Sequence, residues 1–155
     1  MELEARRISV FFYGTFMNPG VLAEYGIIVG DLLPAKVAGF ELYIRPRVNL
    51  VPCEGASVYG AIALVTHKDL EKIYSELEKR FDLRYLPEAV LAETLSGTPT
   101  VKAALCYVTS QMTPGPAAPA YIKELAECVR ALSFPESYAL HIESFGRGSA
   151  AQTRR

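Results

Sequence analysis

Phe11-Phe12-Tyr13-Gly14-Thr15-Phe16-Met17-Asn18-Pro19-Gly20 decides how this chain is read, because a short apolar strand runs into a Tyr-Gly-Thr turn and then a helix start. Ile8, Val10 and Phe12 alternate among β-branched and aromatic residues, the two-residue period of a strand. Gly14 permits dihedrals that other residues resist and puts no Cβ between the backbone and whatever docks there. Several N–H groups of such a turn can point outward together and hold a carboxylate or a developing oxyanion. An ordinary strand-to-helix turn also carries a glycine, so the segment alone is far less specific than a phosphate-binding fingerprint.

Working outward, 155 residues, 50% of them hydrophobic, suit one compact domain with a genuine core. The expected domain is 1–145, followed by a short, polar, glycine-containing flexible tail, 146–155. A formal net charge of −1 supplies no basic surplus for nucleic acid, although Arg147, Arg154 and Arg155 lie in the tail. Cys53, Cys106 and Cys128 are odd in number and far apart, which fits neither a disulfide framework nor a CxxC pair and implies a reducing compartment. His67 and His141 have no clustered ligand spacing around them, so no built-in zinc site is expected. With no signal-peptide stretch and no apolar run of about 18 residues, the expectation is a cytoplasmic protein without a membrane partner.

After the first strand, 19–25 reads as a short helix and 36–44 as a strand, with Pro46 and Pro52 interrupting regular pairing. The nearly continuous apolar run 56–65 reads as a central strand, and Thr66 stands where a cap or turn belongs. Two further strands, about 85–93 and 101–109, are joined across the turn Ser96-Gly97-Thr98-Pro99. A stiff connector at 114–119 leads to a helix with Ile122, Leu125, Ala126 and Val129, and Pro135 marks a new turn before 138–145. Strands in the middle and helices on the flanks give an α+β class with a small mixed or antiparallel sheet or barrel.

The chemistry is sought among carboxylates, since the histidines and cysteines offer no visible nucleophile–base pairing. From Lys68 to Lys79, Leu70, Ile73, Tyr74 and Leu77 fall on one helix face, with Asp69 and Glu71 near its start and Lys79 and Arg80 near its end. At about 100° per residue, Glu78 lies at one border of that face and Glu76 at the other, while Glu71 is also marginal. Periodicity does not choose among them. A half-buried glutamate over a cavity becomes a usable base near neutral pH, whereas a solvated one is an ordinary helix-edge residue.

Three pieces, in order across 8–143, resemble the gamma-glutamylcyclotransferase-like proteins. Tyr13-Gly14-Thr15 is similar to the family's loop after its first strand; Val58-Tyr59-Gly60 precedes the helix bearing Glu78, with Tyr85 seven residues after that glutamate. The third piece joins Ala104-Leu105-Cys106-Tyr107-Val108, the proline-rich connector, Tyr121 and Phe134-Pro135-Glu136-Ser137-Tyr138. The resemblance implies a small barrel with flanking helices, a cavity above the loop, and a reaction without cofactor. Its substrate would be a small γ-glutamyl amide, cyclised to 5-oxoproline with release of the free amine, and a homodimer is the partner arrangement it allows. Glu78 would be the acid–base group, and N–H groups near Gly14, Thr15 and Phe16 would hold the α-carboxylate or the oxyanion. Tyr85 and Tyr121 would position the substrate through their hydroxyls, and Tyr13 would join Gly14 and Thr15 in the substrate-binding anion cradle through its backbone, its ring packed beneath the loop. The run Tyr74-Ser75-Glu76-Leu77-Glu78-Lys79 departs from the family's Leu-Asp-x-x-Glu-Gly, which leaves Glu76 as the alternative base and a non-catalytic ligand-binding or interaction module as the alternative function.

Overall fold

Alternating apolar residues build the first strand, β1 (Arg7–Phe12), whose last three side chains are buried. The computed structural model describes residues 6–110 and 112–153, the side chains of 147–153 excluded. Pro19 at the first helical turn and the Asn18 side chain, which accepts from the Gly20 N–H at 2.9 Å, start the short helix α1 (Pro19–Glu24). A long hairpin follows, β2 (Leu33–Ile44) and β3 (Val48–Thr66). Next come α2 (His67–Phe81), the hairpin β4 (Leu86–Thr94) and β5 (Val101–Val108), and the helices α3 (Pro119–Ala131) and α4 (Glu136–Thr153).

The strands close into a barrel in the order β1-β3-β2-β4-β5. Pairing is antiparallel throughout except where β1 meets β5 in parallel at Val10 and Leu105. The expected α+β class with a small mixed barrel and flanking helices is what the chain forms. β3 is long enough to serve two neighbours, lying against β2 with its first part and against β1 from Ala61 to Thr66. Where it passes from one to the other, Gly60 faces the Phe12 carbonyl oxygen and the Phe11 ring, which a Cβ there would overlap. Only glycine permits that closeness of β1 to β3.

Pro52 does not interrupt the sheet. β3 begins at Val48 and carries Pro52 opposite Phe40, where the register of β2 shifts between Ala38 and Phe40 around Gly39 at φ +89°. A bulge of this kind is one of the few sheet positions that tolerate a proline. Pro46 does mark a break, at the β2–β3 turn, preceded by a cis peptide bond.

Thr66 caps α2, its hydroxyl accepting from the Asp69 N–H at 3.1 Å, and Asp82 in the left-handed region ends it. Leu70, Ile73 and Leu77 are its buried face, as the periodicity predicts. In α3, Ile122, Leu125, Ala126 and Val129 are buried, again as expected. Tyr59 on β3 packs against Phe134 and Tyr138, with ring centroids 5.4 and 5.0 Å away, which docks the α3–α4 turn on the sheet. The backbone of α4 stays helical through Thr153, past Phe145, where the sequence places the start of a tail; side chains beyond Gly146 lie outside the described residues. Among the described residues no helix is long and apolar enough to cross a membrane.

Candidate functional site

The loop after β1 is anchored from below. The Tyr13 hydroxyl donates to the Tyr107 carbonyl at 2.6 Å, which ties the loop to β5, and burial raises the phenol well above its ordinary pKa. The Tyr13 side chain therefore anchors the loop, its hydroxyl proton spent on that carbonyl and not on a ligand. Gly14 is extended, with φ −110° and ψ −153°, so the expectation that it supplies a special dihedral is corrected. Its requirement is space, because a Cβ would come within 2.9 Å of Val48 Cγ2. A single 3₁₀ turn, Thr15–Met17, follows, and its first hydrogen bond runs from the Met17 N–H to the Gly14 carbonyl at 3.1 Å. The Thr15 and Phe16 N–H groups precede that bond, as first-turn donors do.

Val48, which presses on Gly14, is itself clamped by two tyrosines. The Tyr85 hydroxyl donates to the Val48 carbonyl at 2.6 Å, and the Val48 N–H donates to the Tyr121 oxygen at 3.4 Å. Tyr85 thus spends its proton on the backbone, contrary to the expectation that it aims at a substrate. Tyr121 differs: its oxygen accepts, leaving its own O–H to donate elsewhere. Asn49, next in sequence, closes the same end of the barrel by donating to the Thr109 carbonyl at 2.6 Å and accepting from the Thr109 N–H at 3.0 Å. Tyr74 stacks on Tyr107 with centroids 3.9 Å apart and lies 5.9 Å from Tyr85. Burial raises the pKa of Tyr74, Tyr85, Tyr107 and Tyr121, opposed at Tyr85 and Tyr121 by the positive charge of Arg47. The cluster is a neutral aromatic floor at physiological pH.

The helix opposite presents an unexpected row. A cavity of about 340 Å³ above the loop is lined by Thr15, Phe16, Leu77, Phe81, Arg47 and Tyr121, among others. From α2, Leu77, Arg80 and Phe81 line it, and the Tyr74 ring lies 6.3 Å from that of Phe16, which also lines it. Glu78 is exposed and does not line the loop cavity, and Glu76 faces a separate depression with Tyr25, Lys72 and Arg80. Glu78 does not occupy the half-buried position over a cavity that the sequence reading allowed. The carboxylates that line the loop cavity are Glu24 and Glu124.

Arg47, which sequence reasoning left out of the site, stands at its centre. It follows Pro46 in the β2–β3 turn, and its guanidinium carbon lies 4.1 Å from the Phe81 ring centroid and 4.3 Å from that of Tyr121. Alternating Arg45-Pro46-Arg47 gave the sequence no means to tell a solvent-facing arginine from one folded back over two rings, because both rings come from distant segments.

The sequence profile of the family described as "Gamma-glutamyl cyclotransferase, AIG2-like" matches residues 10–124, more than half of the chain. The chain belongs to this family. The matched span of this gamma-glutamyl cyclotransferase-like chain takes in the loop, the whole barrel from Val10 onward, α2 and the first turn of α3 with Tyr121. A solved gamma-glutamyl cyclotransferase is similar at a TM-score of 0.73 and 14% identity, over 88% of this chain and 86% of that one. A protein from Homo sapiens is similar at 0.75 and 15% identity, over 89% and 87%. A yeast gamma-glutamyl cyclotransferase described as specific to glutathione is similar at 0.63 and 12% identity, over 93% and 97%. At these identities the likeness establishes the fold alone. No curated protein sequence matches the chain.

Proposed function

We propose that this family member acts on a small γ-glutamyl amide, cyclising it to 5-oxoproline and a free amine. The observation that carries the reading is the convergence on one cavity of the Thr15–Phe16 turn, the Tyr121 hydroxyl and the Arg47 cation. The turn's N–H groups would take the ligand's α-carboxylate or the developing oxyanion. The folded-back ligand brings its α-nitrogen to its own γ-carbonyl, so that proximity replaces a second reactant. The nitrogen forms the ring C–N bond, the amide C–N bond breaks, and the two protons given up by the α-ammonium end on the departing amine. Glu78 is assigned the proton transfers. It lies one turn after Tyr74 on the same shoulder of α2, and catalytic contacts are often loose until a ligand closes them.

A second reading, ligand binding without turnover, is favoured by Leu77 occupying the inward row while Glu78 stays exposed. The full-length protein incubated with γ-glutamyl amino acids and γ-glutamyl amines, with 5-oxoproline release followed directly, separates the two. Release above the spontaneous rate is expected; binding without release would replace the enzyme reading by the second one.

A further inference from the structure

Arg47, Phe81, Ala118 and Tyr121 line two cavities at once. On one side is the loop cavity described above. On the other is a second cavity, also about 340 Å³, bounded by Pro46, Leu83, Met112 and Pro116, with Asp82 and Thr113 as its polar members. Each volume suits a small organic group rather than a water or a macromolecule. The partition between them is the half-buried guanidinium of Arg47 over the Phe81 and Tyr121 rings.

A guanidinium held over aromatic rings keeps its in-plane N–H groups for hydrogen bonding, and that edge matches a carboxylate in bidentate geometry. Among the described residues Arg47 has no ion-pair partner, whereas the exposed Arg130 is paired twice, to Glu136 at 2.7 Å and to Glu143 at 3.0 Å. Glu24 and Glu124 line one cavity and Asp82 the other, but none of them is within ion-pair distance of Arg47, so this partly desolvated cation between the two cavities can receive an anionic group of a ligand that spans both.

We infer that the ligand is a γ-glutamyl conjugate of an apolar amino acid, with the leaving residue's carboxylate on Arg47 and its side chain in the Pro46–Leu83–Met112–Pro116 cavity. This rests on the proposed placing of the γ-glutamyl group over the Thr15–Phe16 turn. The order of groups along such a molecule fits the order of the sites. The γ-glutamyl unit fills the loop cavity, the amide reaches the partition, the next carbon carries the carboxylate to the guanidinium, and the side chain continues beyond the rings. Tyr121 lines both cavities, and its O–H, which is not spent on Val48, is left to donate to the same carboxylate or to the amide oxygen.

The test is calorimetric binding of three compounds to the full-length protein: γ-glutamyl-phenylalanine, γ-glutamyl-glycine and γ-glutamyl-phenethylamine, the last lacking only the leaving residue's carboxylate. The phenylalanine compound is expected to bind at least about tenfold more tightly than either of the others, from ring burial in one comparison and from charge pairing in the other. Arg47→Met, which keeps an apolar stem, should erase the preference over phenethylamine and keep the preference over glycine. Equal binding of all three by the parent would overturn this inference and leave the γ-glutamyl reading standing. A failure of all three to bind would overturn both. Should Arg47→Met not fold, the parent's discrimination between the phenylalanine and phenethylamine compounds decides the matter alone.

Discussion

The two walls of the loop cavity are built on different physical terms. The barrel wall is a stack of close approaches: Phe12 against Gly60, Gly14 against Val48, and Val48 between the hydroxyls of Tyr85 and Tyr121. Each contact joins segments far apart in sequence and allows little exchange of residue type. The α2 wall is an amphipathic helix that turns Leu77, Arg80 and Phe81 to the cavity, and there a rotation of one residue decides whether a leucine or a glutamate meets the ligand. The first wall is specified by sterics and the second by helix phase.

That contrast can be broken most forcefully at Gly60. Gly60→Ala places a methyl group on the Phe12 carbonyl oxygen and the Phe11 ring, neither of which can move without separating β1 from β3. A loss of about 3 kcal/mol or more in denaturant unfolding is expected. A variant as stable as the parent would mean that the barrel wall is looser than described.

Gly14→Ala should cost less, about 1–3 kcal/mol, because the contact at 2.9 Å is with a valine side chain and not with backbone. Its φ of −110° is acceptable for any residue, so no dihedral penalty adds to the steric one. The expected signature is a loss of γ-glutamyl ligand affinity larger than the loss of stability explains, since Val48 leads directly from Arg47 and the shift is passed to the partition. Affinity that falls only in step with stability would detach Gly14 from the site.

How much of this could be read from the chain follows the same division. The α+β class, the loop after β1, the Thr66 cap and the buried face of α2 were all legible, because each is a local pattern of period, cap or turn. The start of β3 was not, since Pro52 reads as a breaker unless the bulge around Gly39 on the partner strand is known. Tyr85 and Tyr121 could be located but not assigned, because their hydrogen-bond partner is the backbone of Val48, 37 residues before the one and 73 before the other. Arg47 was not legible for the same reason: the rings that make it part of the site come from α2 and α3. Helix phase left Glu71, Glu76 and Glu78 open, and only the family resemblance narrowed the base to Glu78 or Glu76, one residue to either side of Leu77.

Helix phase is therefore where the account is most exposed, and substitution of the two glutamates tests it directly. Glu78→Gln keeps the side chain's shape but cannot take the ammonium proton, so 5-oxoproline release from the parent's best γ-glutamyl substrate should fall about 10²-fold or more while ligand binding and melting temperature hold. Glu76→Gln, facing the separate depression with Lys72 and Arg80, should release 5-oxoproline at close to the parent rate. Undiminished release by Glu78→Gln would contradict the assignment of the proton transfers to that residue.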